Sequence, residues 1–210
     1  MNADPRALDV FYPIVPDITW MRRLVPLGLK TVQLRLKEAS LDEIARQIDA
    51  SLDICARRGC QLIVNDHWRA AMAAGADYVH LGQEDLAMAD LDALKARGMR
   101  IGLSSHSLEE LEIALAAKPD YIALGPIWET KLKTMKWAPQ GLERLGIWKR
   151  CMGAIPLVAI AGITLERAPL VLEAGADSAA VITDFLTHAD PEAQVAAWVA
   201  WARSVRPSQN

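Results

Sequence analysis

Ala74-Gly75-Ala76-Asp77-Tyr78-Val79-His80-Leu81-Gly82 decides the fold. It reads as a helix end, a glycine turn, an aspartate, and a short apolar run. Glycine there permits the left-handed turn that stops a helix. The aspartate is suited to closing the turn. The run Tyr78–Leu81 is continuous rather than alternating, which predicts a strand buried on both faces. The unit returns at Ala117-Lys118-Pro119-Asp120-Tyr121-Ile122-Ala123-Leu124-Gly125 and at Ala174-Gly175-Ala176-Asp177-Ser178-Ala179-Ala180-Val181-Ile182.

Working outward, similar runs predict strands at Val10–Val15, Thr31–Leu36, Gln61–Asn65, Tyr78–Leu81, Arg100–Leu103, Tyr121–Leu124, Pro156–Ile160 and Ser178–Ile182. Helical patterns lie between them. Leu41–Arg57 places Leu41, Ile44, Ala45, Ile48, Leu52 and Cys55 along one side at spacings of three and four. Leu108–Ala116 and Arg167–Glu173 behave in the same way. Strand–helix alternation repeated in this manner selects an α/β chain folded as a single (β/α)8 TIM barrel with parallel strands. An open doubly wound sheet is disfavoured, because no Gly-rich loop follows the first strand. One domain over residues 1–210 is expected, with 206–210 a frayed tail. In the last helix, Val195, Trp198, Val199 and Ala202 form a stripe beside Trp201. The stripe is expected to pack on the barrel; exposure at a contact between copies, hence a homo-oligomer, is the alternative.

The totals restrict function. Apolar residues make up 52% of the chain and charged ones 23%, enough core for a folded domain. A net charge of -3 gives no overall positive field, so nucleic acid and anionic membrane are not expected partners. No run approaches the ~20 apolar residues of a membrane span. The start, Met1 to Arg6, lacks a basic segment followed by an apolar one, so a cytoplasmic location is expected. Cys55, Cys60 and Cys151 contain no Cys-x-x-Cys pair and read as small buried hydrophobes.

In a parallel barrel, chemistry gathers where strands end. The second strand ends in Gln33-Leu34-Arg35-Leu36-Lys37, and alternation puts Gln33, Arg35 and Lys37 on one side. Cations at a barrel mouth call for an anion. Arg35 suits a forked pair of hydrogen bonds and Lys37 a point charge, together a diphosphate clamp. Asn65-Asp66 and Gly82-Gln83-Glu84-Asp85 close the next two strands. Asp66 and Asp85 are hard oxygen donors facing that clamp, which suits Mg²⁺. Ser104 follows the fifth strand, and Ser107 suits a cap for Leu108–Ala116. The polar loop Gly125–Lys133 is too long for a plain connector. Gly162 and Thr183 follow strands seven and eight, where a second phosphate commonly binds.

As a set, these segments resemble the thiamine phosphate synthase family from Tyr12 to about Thr183. The matching pieces are Gln33–Lys37, Val64–Asp66, His80–Asp85, Gly102–Ser104, Gly125-Pro126 with Thr130 and Lys133, Ala138–Gly141, Gly162-Ile163 and Ile182. The resemblance implies a transferase that joins an aminopyrimidine diphosphate to a thiazole phosphate. It implies that Gln33, Arg35, Lys37, Asn65, Ser104 and Lys133 hold the pyrimidine diphosphate, with Arg35, Lys37, Lys133 and Ser104 catalytic. Asp66 and Asp85 would hold Mg²⁺. Thr130, Gly162, Ile182 and Thr183 would hold the thiazole phosphate, together with the strand-six loop around Leu132.

The sequence departs from the family pattern at Glu129, Leu132, Ala161 and Thr183. Leu132 lacks a hydroxyl that the family often has, a loss of roughly 1.5–3 kcal/mol if it had bound phosphate. Ala161 replaces a glycine and is expected to take an ordinary backbone angle. Two other functions stay open at this stage: a thiazole tautomerase, with His106 as its acid–base group, and a non-catalytic thiamine phosphate binder.

Overall fold

The computed structural model describes residues 8–130 and 137–205. Eight strands close into a barrel in sequence order: β1 Phe11–Val15, β2 Thr31–Leu34, β3 Gln61–Asn65, β4 Tyr78–Leu81, β5 Arg100–Ser105, β6 Tyr121–Leu124, β7 Leu157–Ile160 and β8 Ser178–Val181. Every neighbouring pair is parallel, and β8 returns to β1. Helices lie between successive strands, and Leu108–Ala116 begins and ends where its periodicity predicts.

Side-chain alternation divides the core in two. Tyr12, Ile14, Ile63, Tyr78, Tyr121, Ala123, Val158 and Ala180 fill the barrel interior. Their neighbours along the strands, such as Val15, Leu34, Val64, Val79, Leu81 and Leu124, pack outward under the helices. Both faces are therefore buried, which is why the strands read as unbroken apolar runs.

The repeated turn has a clear physical role. Gly75 and Gly175 take φ +74° and +106°, and Lys118 takes the same left-handed region at +52°. The aspartate does more than close the turn. Asp120 accepts from Ile101 N at 2.8 Å, and Asp177 accepts from Leu157 N at 2.7 Å. Each fastens the start of its own strand to the strand before it.

Strand ends differ from the sequence reading in small ways. β2 stops at Leu34, although Arg35 N still donates to Val15 O at 2.9 Å. β5 continues through Ser104 and Ser105, whose side chains find partners on neighbouring elements: His80 on β4 for Ser104, and Ala123 O on β6 and the Trp148 indole N–H for Ser105. The last helix spans Pro191–Val205 and buries Val195, Trp198, Val199 and Ala202 within this chain. Trp198 stacks on Phe11 with ring centres 4.8 Å apart. Of the cysteines, Cys55 and Cys60 are buried as expected, whereas Cys151 is exposed. No described helix is long and apolar enough to cross a membrane.

Candidate active site

A cavity of about 1150 Å³ opens at the carboxyl ends of the strands. Gln33, Arg35, Lys37, Asn65, Asp66, Asp85, Ser104, Thr130, Gly162, Ile182 and Thr183 all line it. Leu132 and Lys133, singled out from the sequence, lie outside the described residues.

Strand parity builds the β2 side. Gln33 is buried in β2, Arg35 is half-buried beyond its end, and Lys37 is exposed. Leu34 and Leu36 point the other way, into the outer core. The strand thus carries an amide to the cavity, and the chain just past its end carries two cations there.

The next two strand ends bring the carboxylates together. Asp66 takes a left-handed φ of +61° just after β3, and its N–H donates to His80 O at 2.9 Å. Aspartate tolerates that region better than most residues, and such angles gather at functional sites. Asp85 lies in the first turn of the helix Gln83–Met88. Burial, and then the charge of Asp85, push the Asp66 carboxyl up to about 6, while Arg35 pulls it down. Two oxygen-donor carboxylates, Asp66 and Asp85, beside an arginine have the chemistry of a hard divalent cation site completed by an anion. Among the described residues no larger group of acidic, histidine or cysteine side chains suits a metal.

The barrel floor is a buried polar file. Gln33 Nε2 donates to Tyr12 Oη at 2.7 Å, and the Tyr12 and Tyr121 hydroxyls are 2.8 Å apart. His80 Nδ1 lies 2.7 Å from Tyr121 Oη, and His80 Nε2 lies 2.9 Å from Ser104 Oγ. Burial, helped by the charges of Arg35 and His106, pushes His80 down to about 4 and so keeps it neutral. Burial pushes both Tyr12 and Tyr121 well above the usual phenol value. Gly102 explains itself here: a Cβ would fall 2.1 Å from the Tyr121 ring. The sequence reading missed Tyr12, His80 and Tyr121 as site residues. A histidine in the apolar run Tyr78–Leu81 was the available signal.

On the opposite side, main-chain contacts shape the wall, and Thr130, Thr164, Arg167 and Thr183 line it. Ile127 N donates to Ile160 O and Trp128 N to Ala161 O, locking the loops after β6 and β7 together. Gly162 has φ +70°, and a Cβ there would lie 2.6 Å from Trp128 Cβ. Ala161 overturns its expectation: its φ is +75°, in the region that favours glycine. The hydrogen bond from Trp128 N to its carbonyl helps hold it there. Arg167, read only as a helix residue, also lines the cavity. Its Nη1 donates to Gly162 O at 2.7 Å, and its Cζ sits 4.8 Å from the Trp128 ring centre. Glu129 is exposed on the same side. His106 lines the cavity too, with Nδ1 2.7 Å from Glu110 Oε2 and its ring parallel to Trp137.

Comparison with known proteins identifies the family. Residues 12–185 match the model of the thiamine monophosphate synthase family. A thiamine-phosphate synthase of Rhizobium etli is 58% identical, covering 92% of this chain and 95% of its own. One from Neisseria meningitidis serogroup A is 47% identical over 90% of this chain and 93% of its own. Among solved structures, thiamine phosphate pyrophosphorylase from Pyrococcus furiosus superposes with a TM-score of 0.83 at 27% identity, covering 97% of this chain and 99% of that one. A match over most of the barrel, together with near-complete coverage of relatives this similar, places the chain in the thiamine monophosphate synthase family.

Proposed function

We propose that this chain is a transferase that condenses 4-amino-2-methyl-5-(diphosphomethyl)pyrimidine with a thiazole phosphate, giving thiamine phosphate and diphosphate. The observation that carries the reading is convergence. Gln33, Arg35, Lys37, Asp66, Asp85 and Ser104 share one cavity in a chain whose relatives are thiamine-phosphate synthases.

The bond that breaks is carbon–oxygen. The pyrimidine methylene releases diphosphate, which keeps the electron pair, and the aminopyrimidine ring spreads the positive charge. The thiazole nitrogen then donates its lone pair to the methylene carbon. No proton has to move, so no general base is required. The demand on the protein is stabilisation of charge growing on the leaving oxygens. Arg35 supplies a forked donor pair, Lys37 a point charge and Ser104 a hydroxyl. Lys133 is assigned to the same anion from the sequence. Asp66 and Asp85 would hold Mg²⁺, which contributes positive charge beside the diphosphate. Gln33 and Asn65 hold the pyrimidine end. Thr130, Gly162, Ile182 and Thr183 receive the thiazole phosphate, and Arg167 supplies the cation on that side.

The test is direct. Incubated with both precursors and Mg²⁺, the chain should form thiamine phosphate and diphosphate in equal amounts. Tight binding of thiamine phosphate without any turnover would refute the reading in favour of a binder. Proton exchange on thiazole phosphate alone, without metal, would refute it in favour of a tautomerase.

A further inference from the structure

Five side chains on the barrel floor form one unbroken file: Gln33, Tyr12, Tyr121, His80 and Ser104, with links of 2.7, 2.8, 2.7 and 2.9 Å. Gln33 is 2% exposed, Tyr12 1%, Tyr121 0% and His80 7%, so water does not substitute for a missing partner. With the Gln33 amide oriented so that its Nε2 faces Tyr12 Oη, donor and acceptor counting gives the file one direction. The Gln33 amide nitrogen only donates, so Tyr12 accepts from it. Tyr12 owns one proton, and its remaining partner is Tyr121. Tyr121 must therefore pass its own proton toward His80 Nδ1. A neutral imidazole that accepts at Nδ1 carries its hydrogen on Nε2. That hydrogen points at Ser104 Oγ, which consequently acts as an acceptor within the file. The hydroxyl hydrogen of Ser104 is left for the cavity, which Ser104 lines. Gln33 lines the same cavity and offers its carbonyl oxygen as an acceptor. With Gln33 Nε2 on Tyr12, the reverse polarity aims the Tyr12 proton at an amide N–H and buries an unmatched donor.

We propose that Tyr121 and His80 are positioning residues that lock the two ends of this file in register, an acceptor at Gln33 and a donor at Ser104. The cavity then selects a ligand with an N–H donor at one end and an anionic oxygen at the other. An aminopyrimidine diphosphate carries both. A ring with an oxo group in place of the amine would set acceptor against acceptor. The inference rests on the site reading above, and it deepens that reading by naming what sets the hydrogen-bond polarity.

Two measurements test it. In ¹⁵N-histidine-labelled full chain, with His80→Gln used to assign the signal, His80 should be neutral with hydrogen on Nε2. Hydrogen on Nδ1, or an imidazolium at neutral pH, overturns the proposal whether or not any ligand binds. The second measurement is a double-mutant cycle on binding of inorganic diphosphate with Mg²⁺. Tyr121→Phe keeps the ring and cuts the file, so binding should weaken about fivefold or more. Ser104→Ala added to Tyr121→Phe should cost clearly less than Ser104→Ala alone, because Tyr121 acts through Ser104. Independent, multiplying losses overturn the relay. A wild-type chain that shows the Nε2–H form yet binds no magnesium diphosphate refutes the site reading while supporting the polarity of the file.

Discussion

The two halves of the cavity are built by different means. From β2 to β5, side chains do the work: strand parity delivers Gln33 and Arg35, adjacent strand ends deliver Asp66 and Asp85, and β5 delivers Ser104. From β6 to β8, among the described residues, backbone contributes a larger share beside Thr130, Thr183 and Arg167. Loops are locked together by main-chain hydrogen bonds, Ala161 and Gly162 take left-handed angles, and an arginine is braced on a tryptophan. The difference fits the two anions assigned to the halves. A diphosphate that gains charge as it leaves needs full charges placed around it. A phosphate that only anchors its molecule is well served by N–H groups and one cation.

The sharpest way to break this comparison is to empty the charged half. Asp85→Ala should lower turnover about a hundredfold or more at limiting Mg²⁺, in the range seen when a group that stabilises transition-state charge is removed. Thiazole phosphate affinity should stay near its wild-type value. Steady-state rates across a magnesium titration decide it, and unchanged rates would remove Asp85 from the metal site.

The two halves also differ in how much the sequence discloses. The barrel was legible because helix and strand periods are distinct and the Ala-Gly-Ala-Asp unit repeats. Gln33, Arg35 and Lys37 were legible because alternation alone sends them to one side. Asp66 and Asp85 were legible because Asp66 directly follows β3 and Asp85 sits in the helix turn that opens just after β4. The backbone half was not. An alanine at φ +75° looks like any alanine in a sequence, and Arg167 reads as a residue at the start of a helix. The floor file was hidden for another reason: Tyr12, Gln33, His80, Ser104 and Tyr121 come from five strands and meet only when the barrel closes.

A pH titration sharpens the charged half next. Metal binds the ionised carboxylate, and Asp66 ionises near 6 in the metal-free chain. Magnesium affinity should therefore be flat above pH 7 and fall by up to about tenfold per unit below 6, read by calorimetry in two buffers to count released protons. Stability of the metal-free chain should move the opposite way. The folded Asp66 binds its proton more tightly than the unfolded one, so between about 4 and 6 the folded state holds more protons. Unfolding free energy from this group rises as pH falls through that window. A metal affinity independent of pH from 5 to 8 would contradict the pairing of Asp66 with Asp85.

The backbone half is tested first at its cation. Arg167→Ala removes the donor to Gly162 O and the group stacked on Trp128. It should raise the KM for thiazole phosphate about tenfold, the loss of one charge-assisted hydrogen bond, while the KM for the pyrimidine diphosphate holds. An equal rise in both constants would mean that Arg167 supports the loop as a whole and not one anion.

The smallest effect belongs to Ala161, and it probes the backbone argument most directly. A non-glycine residue in the left-handed region costs roughly 1–2 kcal/mol. Glycine relieves that cost but gives up roughly 0.5–1 kcal/mol of chain entropy on folding. Ala161→Gly should therefore raise stability by about 0.5–1 kcal/mol, seen as a higher urea midpoint with an unchanged slope. Turnover should be unaltered, because the carbonyl that accepts from Trp128 N stays where it is. Lower stability would show that the Ala161 methyl contributes more than its strained angle costs. The loops after β6 and β7 would then be held together by side-chain packing as well as by main-chain hydrogen bonds, and the contrast between the two halves of the cavity would narrow.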